Sequence, residues 1–498
     1  MFKNLAIAAL ICGAALAQDA KTVIASAQKA LGDVKSITYS GAAKDVSFQQ
    51  CGANATALIC LGTHNPMRPI NNYVRAIDLA GPTSRATGAT NNQGGGGSTV
   101  IAPGTFSQQI SAQQADVNSP WNNSLELYLT PWGFLKGAAD NNATVSKKGG
   151  FTELTWSPKV KAVSGKDYVI NGYINGKNIV DHVETWLGDN IMGDMQIVAT
   201  YSGWKDFGGV MAPAKIVQMR GGFAFFEVDV TAARANPADL ASIALPPAPP
   251  AGKGGPAPAP AAAKGGPAPG AAKGPAPLPP PMVVTTEKLG DGLYRLTTGA
   301  GSYDSVIVEF KDYVMMLEAG QSIARGEAYV AETKKLIPNK PIRYVMNTHP
   351  HSDHTGGLPA LVAEGATIIT HKNNEEFFLK SLNAPRTLLT DVLAKNPKKA
   401  KVESIGDKKV YTDGTRVVEM YYVPGAPHSN GLIFAYMPKE KVLFQGDFSV
   451  NPGEPANDHV KALVPLLDKL KLDFNRYINV HTSAAPQTKA DVWKAMGR

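Results

Sequence analysis

The pattern of hydrophobic and polar positions changes along the chain. Residues 21–31 carry apolar side chains at helical spacing, and Gly32 follows where a helix typically ends. From Ser36 to Val230, apolar residues alternate with polar ones in short runs between turns, which predicts antiparallel strands. Such strands are predicted over residues 36–40, 125–129, 168–173 and 195–201. We therefore expect a mainly antiparallel β domain with an N-terminal helix packed on its sheet.

Residues 282–498 show a different alternation, in which strand-like apolar runs are separated by helical segments. Helices are predicted over residues 324–335, 374–395 and 460–470. Strands are predicted over residues 292–296, 305–310, 313–318, 342–346, 367–370, 416–423, 431–436, 442–444 and 477–480. Strands that alternate with helices predict a layered α/β fold.

A stretch rich in Pro, Ala and Gly separates the two patterns. The hexapeptide Lys-Gly-Gly-Pro-Ala-Pro occurs at residues 253–258 and again at 264–269. This composition offers no large apolar side chains for a core, so residues 246–281 are predicted to be a linker. The linker divides the chain into an N-terminal domain (18–245) and a second domain (282–498), which we expect to fold independently.

The first residues have the features of a secretory signal. Lys3 precedes an uncharged apolar run from Leu5 to Ala17, and Ala15 and Ala17 are the small residues that a signal peptidase requires. The run is shorter than the ~20 residues that span a bilayer. Residues 1–17 are therefore predicted to be a cleaved signal peptide. The mature protein is expected to be periplasmic or secreted, with no stable membrane insertion.

Cysteine count and charge narrow the class of protein further. The mature chain keeps Cys51 and Cys60, and an even cysteine count in an exported protein favours a disulfide between them. Lys and Arg number 49 against 41 Asp and Glu, which gives a net charge of +8. Because these charges are dispersed, they indicate a solvated surface and no nucleic-acid partner.

A dense group of metal-binding residue types follows the strand predicted at 342–346. His349, His351, Asp353 and His354 lie close together in the sequence, ahead of a short apolar helix. Two histidines two positions apart on an extended segment point the same way, so they can hold one ion. Asp353 and His354 follow at the turn and can face a second ion.

Three further candidates follow apolar strands later in the chain: His428, Asp447 and His481. Strand ends of an α/β sheet converge on one edge, where the sites of such folds lie. The combined nitrogen and oxygen donors suit two divalent ions, zinc in the first place and iron or manganese as alternatives. Three protein ligands per ion and one shared carboxylate would leave room for water.

The motif His-x-His-x-Asp-His, with a later His, an Asp after Gly and a last His, resembles the metallo-β-lactamase superfamily over nearly all of residues 282–498. The resemblance implies an αββα sandwich. The ligand sets that it implies are His349, His351 and His428 for the first metal, Asp353, His354 and His481 for the second, and Asp447 as the bridge between them.

The resemblance also implies a hydrolase in which two cations generate a hydroxide that attacks an ester, thioester, lactone or amide carbonyl. Asp353 would additionally orient this hydroxide. Asp447 stands where β-lactam-hydrolysing members usually have Cys or Ser, and is similar to the residue of glyoxalase II and lactonases. Three alternatives stay open: β-lactam hydrolysis, a mono-iron sulfur dioxygenase, and a ligand carrier with an auxiliary metal domain.

The N-terminal domain resembles, more weakly, the half-barrel of periplasmic lipoprotein carriers. The similarity rests on one helix followed by short strands, and on the turn Trp204-x-Asp206-x-x-Gly209. It implies a small-molecule ligand of lipid-like character or a protein partner for this domain.

Two further elements are candidates for contact with substrate. Tyr303 lies in a loop between early strands of the second domain, and residues 374–401 are a candidate lid. Among the other histidines, His64 and His182 are expected to be exposed or structural, and His459 is expected to be exposed. His371 is also expected to be exposed or structural, with support of the site as an alternative.

Overall fold

The computed structural model describes residues 20–46, 67–81, 83–90, 121–240, 282–298, 303–451, 453–481 and 486–498. The predicted signal peptide, the predicted linker, His64 and the cysteine pair Cys51 and Cys60 lie outside these residues. Among the described residues, the helices are all too short or too polar to cross a membrane.

The first domain is built on one antiparallel sheet. Its helices are α1 (20–31), α2 (Trp121–Tyr128) and α3 (Pro131–Asp140). Its strands are β1 (Ser36–Asp45), β2 (Arg68–Asp78), β3 (Thr83–Thr90), β4 (Thr144–Lys148), β5 (Phe151–Trp156), β6 (Ile170–Ile174), β7 (Val180–Asp189), β8 (Gly193–Ser202), β9 (Lys205–Asp206), β10 (Met211–Ala212), β11 (Lys215–Arg220) and β12 (Phe223–Ala235). Ten strands form the sheet in the order β3-β2-β1-β12-β11-β8-β7-β6-β5-β4, and β9 pairs with β10. The predicted mainly antiparallel β architecture is confirmed.

One face of this sheet carries the core of the first domain. Along β8, Ile197, Ala199 and Tyr201 are buried while the residues between them are more exposed, as expected for a strand covered on one face. Ile24 and Ala27 of α1 belong to the same apolar core. The predicted helix therefore packs on the sheet.

The strand predicted at residues 125–129 is wrong, because this segment is helical. Leu125 and Leu127 alternate with polar residues, but both are buried in α2, which is covered on more than one side. The next helix starts at Pro131, where the Oγ1 of Thr130 accepts a hydrogen bond from Gly133 N at 3.1 Å. Because the helix is buried on several sides, its apolar residues do not follow a clear helical spacing, and the sequence pattern suggested a strand.

The second domain contains two sheets flanked by helices. Its strands are β13 (Val284–Gly290), β14 (Leu293–Thr298), β15 (Ser305–Glu309), β16 (Val314–Leu317), β17 (Ile342–Met346), β18 (Thr367–His371), β19 (Lys401–Ile405), β20 (Lys408–Thr412), β21 (Val417–Tyr422), β22 (Ile433–Met437), β23 (Val442–Gln445) and β24 (Arg476–Asn479). Its helices are α4 (Ile323–Leu336), α5 (Ser352–Thr355), α6 (Leu358–Glu364), α7 (Glu375–Leu382), α8 (Val392–Lys395), α9 (Asp458–Leu470) and α10 (Lys489–Ala495). A seven-stranded sheet runs in order from β13 to β19, and a five-stranded sheet runs in order from β20 to β24.

These two sheets pack face to face, with helices on their outer sides. One apolar cluster joins Val306 and Met346 of the first sheet to Met420 and Phe444 of the second. Separate clusters lie between the seven-stranded sheet and α4, α6 and α7, and between the five-stranded sheet and α9 and α10. This layering confirms the predicted αββα sandwich.

The helix predicted over residues 374–395 is interrupted. The helices α7 and α8 are separated by a loop in which the guanidinium of Arg386 lies 2.6 Å from the carboxylate of Asp391. The side chain of Asp391 also caps α8 by accepting a hydrogen bond from Ala394 N at 2.9 Å. Strands β13, β19 and β20 and helices α5 and α10 were not predicted from the sequence.

The two domains are packed against each other, whereas the expectation that each folds independently stays a prediction. Leu388, from the loop between α7 and α8, belongs to the core of the first domain. Met192 and Phe223 of the first domain belong to the same apolar cluster as Phe377 of α7. Part of the segment predicted as a lid is therefore anchored on the first domain.

Candidate metal centre

The loop after β17 carries the first group of candidate ligands. His349, His351 and His354 are almost completely buried. The Nδ2 of Asn347 donates to the backbone oxygen of His354 at 3.1 Å, and Thr355 Oγ1 donates to that of His351 at 3.0 Å. These bonds tie the backbone of the loop to that of the short helix α5, which supports the imidazoles from below the site.

The other three candidates reach the same place from the second sheet. His428 follows β21, Asp447 follows β23 and His481 follows β24. Gly446 precedes Asp447 and passes close to the first loop. A Cβ at this position would lie 2.8 Å from Thr348 Oγ1, so only glycine allows this approach without a shift.

The structure brings all seven predicted ligands into two adjacent groups. The ligand atoms within each group lie within 4.8 Å of one another. The first group is His349, His351, His428 and Asp447, and the second is Asp353, His354 and His481. This division is the one that the superfamily resemblance implies.

Asp447 stands between the two groups. Its Oδ2 lies 2.6 Å from His428 Nε2 and 3.7 Å from His349 Nε2. Its Oδ1 lies 2.9 Å from the Nε2 atoms of both His354 and His481. One carboxylate oxygen therefore faces each group, as a bridging ligand requires.

The ring nitrogens of opposite histidines also face each other. His349 Nε2 lies 3.1 Å from His428 Nε2, and His354 Nε2 lies 3.0 Å from His481 Nε2. Imidazole nitrogens and carboxylate oxygens gathered around a shared space are the donor set that zinc and similar ions prefer. The residues present therefore fit two divalent ions.

The pKa shifts differ among the histidines of the centre. Burial opposes the charged form of His354, but the carboxylates of Asp447 and Asp353 outweigh it and raise the pKa of His354. Burial lowers the pKa of His351 to about 3, so its imidazole is neutral at neutral pH. Burial opposes the ionised form of Asp447, but the charges of His354 and His349 outweigh it and hold the pKa of Asp447 well below its usual value. Asp447 is therefore a carboxylate that a cation can share.

Glu318 is a supporting residue that the sequence patterns did not identify. It is fully buried after β16, and its backbone φ of 67° is in the left-handed region. Its Oε1 accepts a hydrogen bond from Thr348 N at 2.6 Å, and its Oε2 lies 3.6 Å from His354 Nδ1. A carboxylate on the far nitrogen of a ligand histidine orients its ring. The feature of the sequence that could have indicated this role is the position of the charged Glu318 directly after the apolar strand β16.

Tyr303 lies beside the second group of ligands. Its ring is 4.9 Å from that of His481, in an edge-to-face arrangement. The Arg325 guanidinium covers the Tyr303 ring at 4.9 Å, and Tyr329 Oη donates to its backbone oxygen. Burial raises the pKa of Tyr303, so its hydroxyl stays protonated. Tyr303 therefore lies against a candidate ligand, and its contact with substrate stays a prediction.

Two histidines outside the ligand set lie near the loop of His428. His371 is buried and stacks on Tyr422 with ring centroids 4.0 Å apart. The hydroxyl of Tyr422 donates to Asn430, close to His428 in sequence, at 2.9 Å.

The expectation that His459 is exposed is wrong, because it is only partly exposed and its ring lies 4.9 Å from that of His428. Helix α9 carries His459 into this position.

His182 lies in the first domain, away from the ligand groups. Its ring stacks on Tyr173 with centroids 4.1 Å apart, and its Nδ1 lies 2.7 Å from Asp181. These contacts agree with the structural role expected for it.

Comparison with protein families agrees with this geometry. Residues 298–486 match the model of the metallo-beta-lactamase superfamily, and this range contains all seven candidate ligands. The superfamily resemblance of the second domain is therefore confirmed.

Two curated proteins are similar to parts of the chain. The 2,4-dinitroanisole O-demethylase subunit alpha of Nocardioides sp. is 24% identical over 169 residues, which cover 33% of this chain and 46% of that protein. The hydroxyacylglutathione hydrolase of Pelagibacter ubique is 28% identical over 119 residues, which cover 23% of this chain and 41% of that protein. The chain thus spans less than half the length of these relatives.

A solved structure of a metallo-beta-lactamase from Pontibacter korlensis aligns with a TM-score of 0.33 and 18% identity. The alignment covers 43% of this chain and 98% of that one.

Proposed function

We propose that this protein is an exported, dinuclear metal-dependent hydrolase that acts on an ester, thioester, lactone or amide carbonyl. The observation that carries the proposal is the position of Asp447, whose two carboxylate oxygens face two separate histidine groups. One oxygen toward each group is the arrangement expected of a carboxylate that is shared by two ions. The similarity to a hydroxyacylglutathione hydrolase supports hydrolysis as the reaction class.

The ligand sets assign a role to each half of the centre. His349, His351 and His428 would hold one ion, Asp353, His354 and His481 the other, and Asp447 both. Two divalent ions bound there would supply a water of lowered pKa and a positive charge for the oxygen that becomes negative.

The side chains at the edge of the centre would direct the substrate and the attacking water. The Oδ2 of Asp353 lies 3.4 Å from His481 Nε2, and its side chain is partly exposed. From there Asp353 would accept a hydrogen bond from the water and orient its lone pair toward the carbonyl carbon. The protonated Tyr303 hydroxyl would donate a hydrogen bond to the substrate.

The proposal is tested by hydrolysis of a panel of chromogenic esters, thioesters, lactones and cephalosporins with zinc-loaded protein. We expect turnover of at least one carbonyl class, and a loss of at least about 100-fold in kcat/KM for Asp353→Ala, the lower range for a residue that orients a reacting group. Asp181→Ala, in the first domain beside His182, is the matched control and should keep full activity. Full activity in Asp353→Ala, or one iron per chain without hydrolysis, would contradict the proposal.

Export is proposed on the signal-like pattern of residues 1–17. When the full chain is expressed in a Gram-negative host, the periplasmic fraction should contain a protein whose first residue is Gln18. A full-length protein confined to the cytoplasm would contradict export.

The first domain is proposed to bind a lipid-like ligand. A cavity of about 570 Å³ lies between α1, the turn after β2 and α3. Leu79, Trp132 and Leu135 give it an apolar lining, and Lys29 and Lys35 line it as well. Lys136 and one acidic residue, Asp33, complete the charged part of the lining. An apolar lining with more cationic than anionic groups suits a long-chain carboxylate.

Displacement of a fluorescent fatty acid by palmitate tests this ligand class. Val34 lines the cavity, and Val163 is a half-exposed residue elsewhere in the same domain. Val34→Lys should weaken palmitate binding by about tenfold or more, as expected for a charge placed in an apolar pocket. Val163→Lys should bind as the wild type does. Equal binding in both variants would contradict the proposed site.

A further inference from the structure

The candidate ligands are not equally accessible to solvent. His349, His351 and His354 are at most 2% exposed. The side chains of His428 and His481 are 19% and 27% exposed. Solvent therefore reaches the centre along His428, His481 and their neighbours, and a substrate must enter by the same opening.

Two aromatic side chains border this opening on opposite groups of ligands. Tyr303 lies against His481, with ring centroids 4.9 Å apart. His459 lies against His428, with ring centroids also 4.9 Å apart and the planes at 85°. The first ligand group is thus bordered by the imidazole of His459, which belongs to neither ligand set.

Helix α9 holds His459 rigidly in this place. The Oδ1 of Asn457 caps the helix by accepting a hydrogen bond from Val460 N at 3.0 Å. The apolar face of α9 is buried in the cluster against the five-stranded sheet, through Leu463 and Val464. A fixed backbone on a packed helix gives His459 the precision that a substrate contact needs.

The polar atoms of His459 are not all used inside the protein. Its Nδ1 is buried, and no hydrogen-bond partner for it is present among the described residues. A buried ring nitrogen without a partner is costly, and a turn of the imidazole about its Cβ–Cγ bond would bring this nitrogen to a molecule bound in the opening, where it gains a partner. This atom lies in a side chain that borders the opening of the centre.

The geometry points to His459 as a substrate-positioning residue that hydrogen-bonds the acyl portion of the substrate beside the first ligand group. This assignment rests on the proposed hydrolase function. The two sides of the opening then differ in chemistry. The phenol of Tyr303 lies beside His481, and the imidazole of His459 lies beside His428. His459 would thereby select acyl groups that carry a hydrogen-bonding atom on the His428 side.

A different role for the same imidazole would be an additional metal ligand. The two roles predict different results when the ring nitrogens are removed. A ligand would change the number of ions bound, whereas a positioning residue would leave that number unchanged and alter the binding of acyl ligands.

The test compares His459→Phe, which keeps a flat ring, with His459→Gln, which keeps hydrogen-bonding capacity. His182→Phe, at the stacked histidine of the first domain, is the matched control. For each protein, zinc content is measured, acetate is titrated into the cobalt-substituted form by visible absorption, and kcat and KM are measured on the best ester of the panel. Circular dichroism checks the fold of each variant.

We expect His459→Phe to keep the wild-type zinc content, to bind acetate about fivefold more weakly, and to raise KM by a similar factor with kcat within about twofold, since one hydrogen bond is lost. His459→Gln should recover part of the acetate affinity, and His182→Phe should match the wild type. Loss of zinc from His459→Phe would overturn the inference in favour of a ligand role. Acetate that binds equally to the wild type and His459→Phe, or to neither, would also overturn it.

Failure of the proposed function gives a different result. A wild type that binds zinc and acetate but hydrolyses no substrate of the panel contradicts the hydrolase proposal. The acetate comparison then still decides whether His459 contacts a bound acyl group.

Discussion

The carboxylate of Asp194 in the first domain accepts a hydrogen bond from the backbone N–H of Leu388 in the second, at 2.9 Å. The same carboxylate accepts from Thr387 N at 2.9 Å, and Asp194 N donates to Pro385 O at 2.6 Å. Since Leu388 also enters the core of the first domain, this loop connects the domains by both polar and apolar contacts.

Asp194→Ala is expected to weaken the contact between the domains. Two backbone N–H groups lose their acceptor, at a cost of about 1–3 kcal/mol in the free energy of unfolding. Calorimetry should show a single transition for the wild type and two separated transitions for the variant. Asp206→Ala, which removes the acceptor of Gly209 N inside the first domain, should not separate them. A single unchanged transition in Asp194→Ala would contradict this account of the interface.

Glu318→Gln is expected to weaken metal binding without removing a ligand. The amide keeps the volume and an acceptor for Thr348 N, but it loses the negative charge that faces His354 Nδ1. Zinc affinity, measured by competition with a chelator, should fall roughly 10- to 100-fold. Glu332→Gln on α4, which contacts Lys335 and Thr286, is the control and should bind zinc normally. Unchanged affinity in Glu318→Gln would show that this carboxylate does not support the centre.

The stability of the second domain should depend on pH through His371. Burial lowers the pKa of His371 to about 4, below the usual value near 6.5. Between these values the unfolded chain binds a proton that the folded chain does not. The contribution of His371 to the free energy of unfolding is therefore fully present above about pH 6.5, and it is lost as the pH falls toward 4.

His371→Phe tests this dependence, because phenylalanine can stack on Tyr422 but cannot bind a proton. Urea unfolding at pH 7.5 and pH 5 should show a loss of stability for the wild type that exceeds that of the variant by about 1 kcal/mol. Identical losses in the two proteins would show that His371 does not contribute.

The sequence allowed the ligands to be predicted better than their supports. His349, Asp447 and His481 each follow an apolar strand, and strand ends of one fold meet at one edge. The contacts of Glu318 with Thr348, and of His459 with His428, join residues that are distant in the sequence. They depend on how the loops pack, which no local period encodes.

The same distinction holds for the fold. Strands β16, β22 and β23 of the second domain have continuous apolar runs, because both their faces are covered, and the pattern predicts them well. Strands β13, β19 and β20 are partly exposed and lack such runs, and the pattern missed them. The segment 125–129 also has buried apolar residues, but helices and neighbouring strands cover it on several sides, and its period was misleading. The packing of the two domains depends on side chains such as Asp194 and Leu388, whose partners the local pattern does not indicate.

The most direct test of the dinuclear centre is the number of zinc ions bound per chain, measured by metal analysis after dialysis at saturating zinc, for the wild type and for Asp447→Asn. Because one oxygen of Asp447 faces each histidine group, we expect two zinc ions per wild-type chain and weaker binding at both positions in the variant. A single zinc ion in the wild type, or two ions bound with unchanged affinity by Asp447→Asn, would contradict a centre bridged by this carboxylate.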